Sequence, residues 1–146
     1  MEVRIELPVD AHLPDDYVAD QAARLEAYPR LAAATTQGHV DDVAGEWKDR
    51  YGPLPPRARA LIDIARLRVE ALRVGIAEVV ALRREIRLAP VDLSPSQEVR
   101  LERLTAGRAV VNVAESAMFI PAPEGDPAVA LFEFLRTMWP PDSNES

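Results

Sequence analysis

Hydrophobic and polar positions alternate at the start of the chain and then fall into helical spacing. Val3-Arg4-Ile5-Glu6-Leu7 has the period-two pattern of a half-buried strand, and Pro8 limits how far that strand can pair. Pro14-Asp15-Asp16 predicts a helix start, with Asp15 as N-cap and Asp16 favourable to the helix dipole. Tyr17, Ala22, Leu25, Tyr28, Leu31 and Ala32 then recur at helical spacing. Pro29 lacks a backbone donor and clashes with the preceding turn, so a kink or a break is expected there. A second helix is predicted from about Gly38 to Tyr51, with Val40, Val43, Trp47 and Tyr51 in one apolar stripe. Gly52 is placed as its C′ residue, and Pro53 blocks continuation.

Pro55-Pro56 suits the first turn of a third helix, predicted from Arg57 to Val74. Its buried side is expected to carry Ala58, Leu61, Ile62, Ala65 and Leu72, with Leu67 or Val69. Arg59–Asp63 and Arg66–Glu70 have the spacing of i,i+4 pairs on an exposed side. After Gly75 the texture changes. Val79 to Leu82 and Ile86 to Leu88 read as strands joined across Arg83-Arg84-Glu85. Ser94-Pro95-Ser96-Gln97 reads as an N-cap with Pro in the first turn of a short helix through Leu104, ended by Gly107. Ala109 to Val113 and Ala117 to Ile120 form a second strand pair. Asp126-Pro127 opens a last helix with Val129, Leu131, Phe132, Leu135 and Met138, and Trp139-Pro140-Pro141 ends it. The expected fold is α+β: an N-terminal strand and three-helix half, then a small antiparallel sheet with two further helices. Residues 1–139 are read as one domain and 140–146 as a disordered tail.

Composition narrows the chemistry. The chain has 146 residues, with 48% hydrophobic residues and no cysteine, which excludes disulfides and thiolate ligands. His12 and His39 read as solvated side chains near loops or helix starts, and two His do not make a His-rich metal site. The six glycines are isolated, so there is no phosphate-cradling loop, and no Ser sits in a nucleophile elbow. The pairs Asp15-Asp16 and Asp41-Asp42 are explained by capping and first-turn electrostatics rather than by hydrolysis. No cofactor and no catalytic residue are expected. Neither a membrane span nor a signal peptide is visible, and the cytoplasm is the expected location.

Net charge is −7, against a general nucleic-acid binder, but it is uneven. Residues 1–49 carry 11 acids and 4 bases, residues 50–110 carry 7 acids and 12 bases, and residues 111–146 carry 6 acids and 1 base. Arg57, Arg59, Arg66, Arg68 and Arg73 on the third helix therefore define an alternative reading as a nucleic-acid-binding module, although Asp63 and Glu70 interrupt them. Glu46 and Asp49 sit three apart on the second helix, pointing away from the Val43–Trp47 stripe, with Arg50 beside them. A carboxylate pair aimed outward suits a partner's arginine forks.

Several phrases carry a family resemblance. They are the strand Val3–Leu7, Leu13-Pro14-Asp15-Asp16-Tyr17, Arg24-Leu25-Glu26-Ala27-Tyr28, Asp49-Arg50-Tyr51-Gly52-Pro53-Leu54-Pro55, Leu61 through Arg68, and Gly75-Ile76. In order and spacing they resemble the first half of the C-terminal domain of the bacterial transcription-repair coupling factors (Mfd, the TRCF family). The second half is similar only in its pattern of strands and helices. Pro29 departs from the family, whose members can have a helix-compatible basic residue there. The resemblance implies a non-catalytic domain of a larger ATP-dependent DNA translocase that binds RNA polymerase and UvrA. It also implies docking on an N-terminal UvrB-like module of the same chain, covering the UvrA-binding surface and holding the protein autoinhibited. Met1 is then an added start and Ser146 the native end. By the same resemblance Glu46 and Asp49, on the helix before the Asp-Arg-Tyr-Gly turn, face arginines of that module. Apart from its parent chain, the domain's uncovered docking face is expected to favour self-association.

Overall fold

The computed structural model describes residues 2–142. Strand β1 (Arg4–Glu6) leads into three helices, α1 (Gln21–Ala32), α2 (Gln37–Tyr51) and α3 (Pro56–Val74). A hairpin of β2 (Glu78–Ala81) and β3 (Glu85–Ala89) follows, then α4 (Pro95–Leu104), a second hairpin of β4 (Val110–Asn112) and β5 (Ala117–Pro121), and α5 (Pro127–Met138). The α+β organisation is as expected, with helices gathered in the first half. The five strands make one sheet in the order β1-β2-β3-β5-β4. β1 joins this sheet in parallel with β2, whereas the other three pairings are antiparallel, so the sheet is mixed rather than purely antiparallel. A parallel pair needs a long crossover, and the whole three-helix half supplies it.

Register explains the core. Ile5, Val79, Leu88, Met118 and Val111 lie opposite one another across the five strands and share one face. Against that face pack Leu67 and Ala71 of α3, Leu101 of α4, and Leu131, Leu135 and Met138 of α5. A second cluster holds the helical half together: Leu31 of α1, Val40, Val43 and Trp47 of α2, and Ala58, Ile62, Ala65 and Val69 of α3. α3 belongs to both, turning one flank to each. Its end is set by Gly75, at φ +80°, where Ile76 N–H reaches Ala71 C=O at 2.9 Å and buries its side chain beyond the turn.

Several expectations need correction. The first helix starts at Gln21, with Asp20 Oδ1 accepting from Ala22 N–H at 3.0 Å, and not at Asp15. Pro14 to Val18 instead makes a single turn that sinks Leu13 and Val18 into the helical core. The Tyr17 hydroxyl fixes that turn, donating to Gly52 C=O at 2.8 Å with Trp47 C=O at 3.2 Å. The later start changes the buried face to Ala23, Ala27, Tyr28 and Leu31, and leaves Leu25 63% exposed, with Ala22 and Ala32 also exposed. α1 runs through Pro29 without breaking. Leu25 and Pro29 both face water, so solvent can take up the carbonyl left without a donor.

On α3, Leu61 and Leu72 are only half-buried, while both Leu67 and Val69 are buried. Glu70 is fully buried rather than paired with Arg66 on the outside. Its carboxylate receives Gln37 Nε2 of α2 at 2.9 Å, Arg73 Nε at 2.9 Å and Arg136 Nη1 of α5 at 3.1 Å. Arg66 pairs with Asp41 at 2.8 Å instead, and no ion pair joins Arg59 to Asp63 among the described residues. β4 is shorter than expected, Val129 of α5 is 41% exposed, and Leu82 lies past the end of β2. Ser94 is the N-cap of α4, as expected, and the structure adds a reciprocal capping box with Gln97. The expected tail falls outside the described residues from Ser143 onward.

Candidate partner interface

α2 is built to present one face outward. Thr36 caps its first turn, accepting from His39 N–H at 3.1 Å, and Gly52 closes the other end with its N–H on Lys48 C=O at 2.9 Å. The Val40–Val43–Trp47 stripe is buried, which directs Glu46, Asp49 and Arg50 away from the core. The three therefore share the outer side of the last turns, but their states differ. Asp49 is exposed and no ion pair reaches it among the described residues. Glu46 is engaged on both oxygens: Oε2 receives Arg30 Nη1 of α1, and Oε1 receives Arg50 Nη1 at 3.4 Å. Arg50 also lies over the Tyr51 ring, 5.2 Å from its centroid, and Tyr51 meets Tyr17 edge-on with centroids 5.7 Å apart.

The pair of outward carboxylates expected from spacing is thus one free acceptor and one engaged acceptor. The residue that sequence reasoning missed is Arg30, sixteen positions before Glu46 and on another helix, which no spacing rule within α2 reveals. The groove between α1 and α2 at this point is about 100 Å³, lined in part by Ala23, Ala27 and Trp47. It is smaller than the roughly 300–1,000 Å³ of a typical small-molecule pocket, so a flat macromolecular contact suits the face better.

The basic middle of the chain is largely consumed internally. Arg57 pairs with Asp10 at 2.8 Å and Arg66 with Asp41 at 2.8 Å. Arg68 donates to Leu31 C=O at 2.8 Å, holding the C-terminal end of α1, and Arg73 bonds Glu70 and, at 2.6 Å, Trp139 C=O. Of the five arginines singled out, Arg59 alone has a side chain without an ion pair or hydrogen bond among the described residues, so they form no common phosphate-binding stripe. His12 sits 3.0 Å from Asp10, and His39 Nδ1 lies 3.3 Å from Thr35. Among the described residues no group of three or more His, Cys, Asp or Glu is arranged for a metal, and no helix is long and apolar enough to cross a membrane.

Comparison with known proteins places this surface in context. Residues 7–103 match the model of the TRCF domain, a span that includes all of α1 to α3 and the Glu46–Asp49 face. The chain belongs to the TRCF domain family. Over 107 residues, 73% of the chain, this TRCF domain is 50% identical to the transcription-repair-coupling factors of Mycobacterium bovis and Mycobacterium tuberculosis. Over 75 residues, 51% of the chain, it is 43% identical to that of Escherichia coli. The match spans only 9% of the length of the mycobacterial relatives and 6% of the Escherichia coli one. The fold is that of a solved C-terminal domain of transcription-repair coupling factor, with a TM-score of 0.77 at 17% identity, covering 94% of this chain and 93% of the other. That similarity extends beyond the family match to the β4–β5 hairpin and α5.

Proposed function

We propose that this TRCF domain is a non-catalytic autoinhibitory element. It docks on an N-terminal UvrB-like module of its parent transcription-repair coupling factor and masks the surface that binds UvrA. In this reading the parent is a cytoplasmic, ATP-dependent DNA translocase that displaces stalled RNA polymerase during transcription-coupled DNA repair, and the domain restrains it. The observation that carries the reading is Asp49: an exposed carboxylate without an ion pair, on the outer face of α2, inside the family match. A polar contact of this kind can be opened by movement of the motor or by a competing partner, whereas a large apolar interface would stay closed.

The test is calorimetric titration of the domain against the separately produced N-terminal module at two salt concentrations. Salt-sensitive binding, lost in the Glu46→Ala/Asp49→Ala double variant, is expected. Truncating one member of a desolvated charge pair costs about 2–5 kcal/mol. Both substituted side chains lie outside the two cores, so the variant should stay folded, losing only the part-exposed Glu46 ion pairs at about 0–1 kcal/mol each. Absence of binding at either salt, or undiminished binding by the double variant, would refute the assignment.

A further inference from the structure

Resting on the docking reading above, we infer that Glu46 is a contested carboxylate: in the free domain Arg30 and Arg50 occupy it, and a partner's guanidinium must displace them. Three features of the site support exchange. First, the occupancy is complete at the level of oxygens, one arginine on each, supplied by two helices. Secondly, exposure is unequal. The Glu46 side chain is 29% exposed, whereas those of Arg30 and Arg50 are 53% and 59% exposed. The acceptor is seated in the α1–α2 groove, while either donor can swing into water without becoming a buried, unpaired cation. Displacement therefore needs no change in the helices. Thirdly, Asp49 stands one turn away with no ion pair of its own, so an incoming arginine has a free acceptor before Glu46 is released.

The two carboxylates then differ in what they add to docking. Asp49 gains a partner it did not have. Glu46 exchanges one guanidinium for another, and its net contribution is the difference between similar contacts. The intramolecular pairs thereby act as a built-in competitor that lowers affinity for the partner and keeps the contact easy to reopen.

The experiment titrates the same N-terminal module with wild-type domain, Asp49→Asn, Glu46→Gln, Arg30→Gln, Arg50→Gln and the Arg30→Gln/Arg50→Gln double variant. Arg83→Gln is the charge control, since Arg83 is exposed in the β2–β3 turn, remote in sequence from α1 and α2. Circular dichroism melts confirm that each variant is folded. Removing either arginine should tighten binding by about two- to fivefold, the equivalent of one exposed ion pair, with a larger gain in the double variant. Arg83→Gln should change it less, and Asp49→Asn should weaken it more than Glu46→Gln does. Two outcomes separate the claims. If the wild type binds and Asp49→Asn weakens it, but Arg30→Gln and Arg50→Gln bind no tighter than the control, exchange is refuted and docking stands. If no variant binds, the docking reading fails and this inference fails with it.

Discussion

Removing the Glu70 carboxylate should loosen the joint between the two cores. The side chain is 0% exposed, and its two oxygens accept from residues of three helices: Gln37 at the start of α2, Arg73 on α3 and Arg136 on α5. Gln37 passes the link on to Arg66 C=O at 3.0 Å, and Arg73 passes it to Trp139 C=O at 2.6 Å. Breaking a buried pair by deleting one partner costs about 3–5 kcal/mol. The Arg73 and Arg136 side chains are 24% and 32% exposed, so water can partly resolvate them, and the lower end of that range, about 3 kcal/mol, is appropriate for Glu70→Ala. Glu70→Gln keeps the volume and loses the charge, so about 1.5–2 kcal/mol is expected, in line with hydrogen bonds to charged groups. At about 2–4 °C per kcal/mol for a domain of this size, the melting temperature should fall by about 6–12 °C for Ala and roughly half that for Gln. Thermal melts by circular dichroism, with Glu102→Ala on the exposed face of α4 as control, read this directly. A Glu70→Ala melt within a degree of the control would show that the buried carboxylate is energetically idle.

Three smaller predictions concern other parts of the fold. Tyr17→Phe deletes a hydroxyl that meets two carbonyls and should cost about 1 kcal/mol in urea unfolding; an unchanged midpoint would mean that those carbonyls are solvated equally well without it. Gly45→Ala should raise stability by about 0.5–1 kcal/mol, because the residue is inside α2 and an added Cβ meets nothing within 4 Å; a lower melting temperature would contradict that. Burial first, and then the neighbouring Asp126, raise the Asp63 carboxyl above its ordinary 3.8, outweighing Arg66 and Arg59. The folded state then holds this proton more tightly than the unfolded chain, so the stabilising contribution is complete below 3.8 and is lost as pH rises through the folded value. Asp63→Asn should therefore melt higher than wild type at neutral pH, with the gap closing in acid; a gap that widens in acid would reverse the sign.

What could be read before the fold was known follows from how far each signal reaches. The Tyr51-Gly52-Pro53 stop, the Ser94 cap and the Asp126-Pro127 start are decided by adjacent backbone, and all three stand where expected. The start of α1 was misplaced because Pro14-Asp15-Asp16 is a sound local cap signal that loses to the burial of Leu13 and Val18 and to the reach of Tyr17 across to Gly52. Glu70 looked like a surface partner of Arg66, since a heptad gives no hint that α5, sixty-six positions later, brings Arg136 to it. At the candidate interface the shared face of Glu46, Asp49 and Arg50 was legible from period alone. The engagement of Glu46 was not, because Arg30 arrives from a separate helix. The parallel β1–β2 pair was likewise invisible: two short alternating stretches with the helical half between them do not state their mutual direction.

That pairing has a mechanical consequence. The helical half leaves the sheet from β1 and returns to it at β2, so both of its ends are clamped on neighbouring strands in register, Arg4 opposite Glu78 and Glu6 opposite Val80. The exit at Glu6 and the return at Glu78 lie at opposite ends of this parallel pair, so a tug on the outer side of α2 is carried down two anchors offset both across the pair, by about 4.8 Å, and along it by two residues, rather than through one hinge. Because α3 also buries Leu67 and Ala71 in the core under the sheet, swinging the helices away would expose that core as well as load the edge pair.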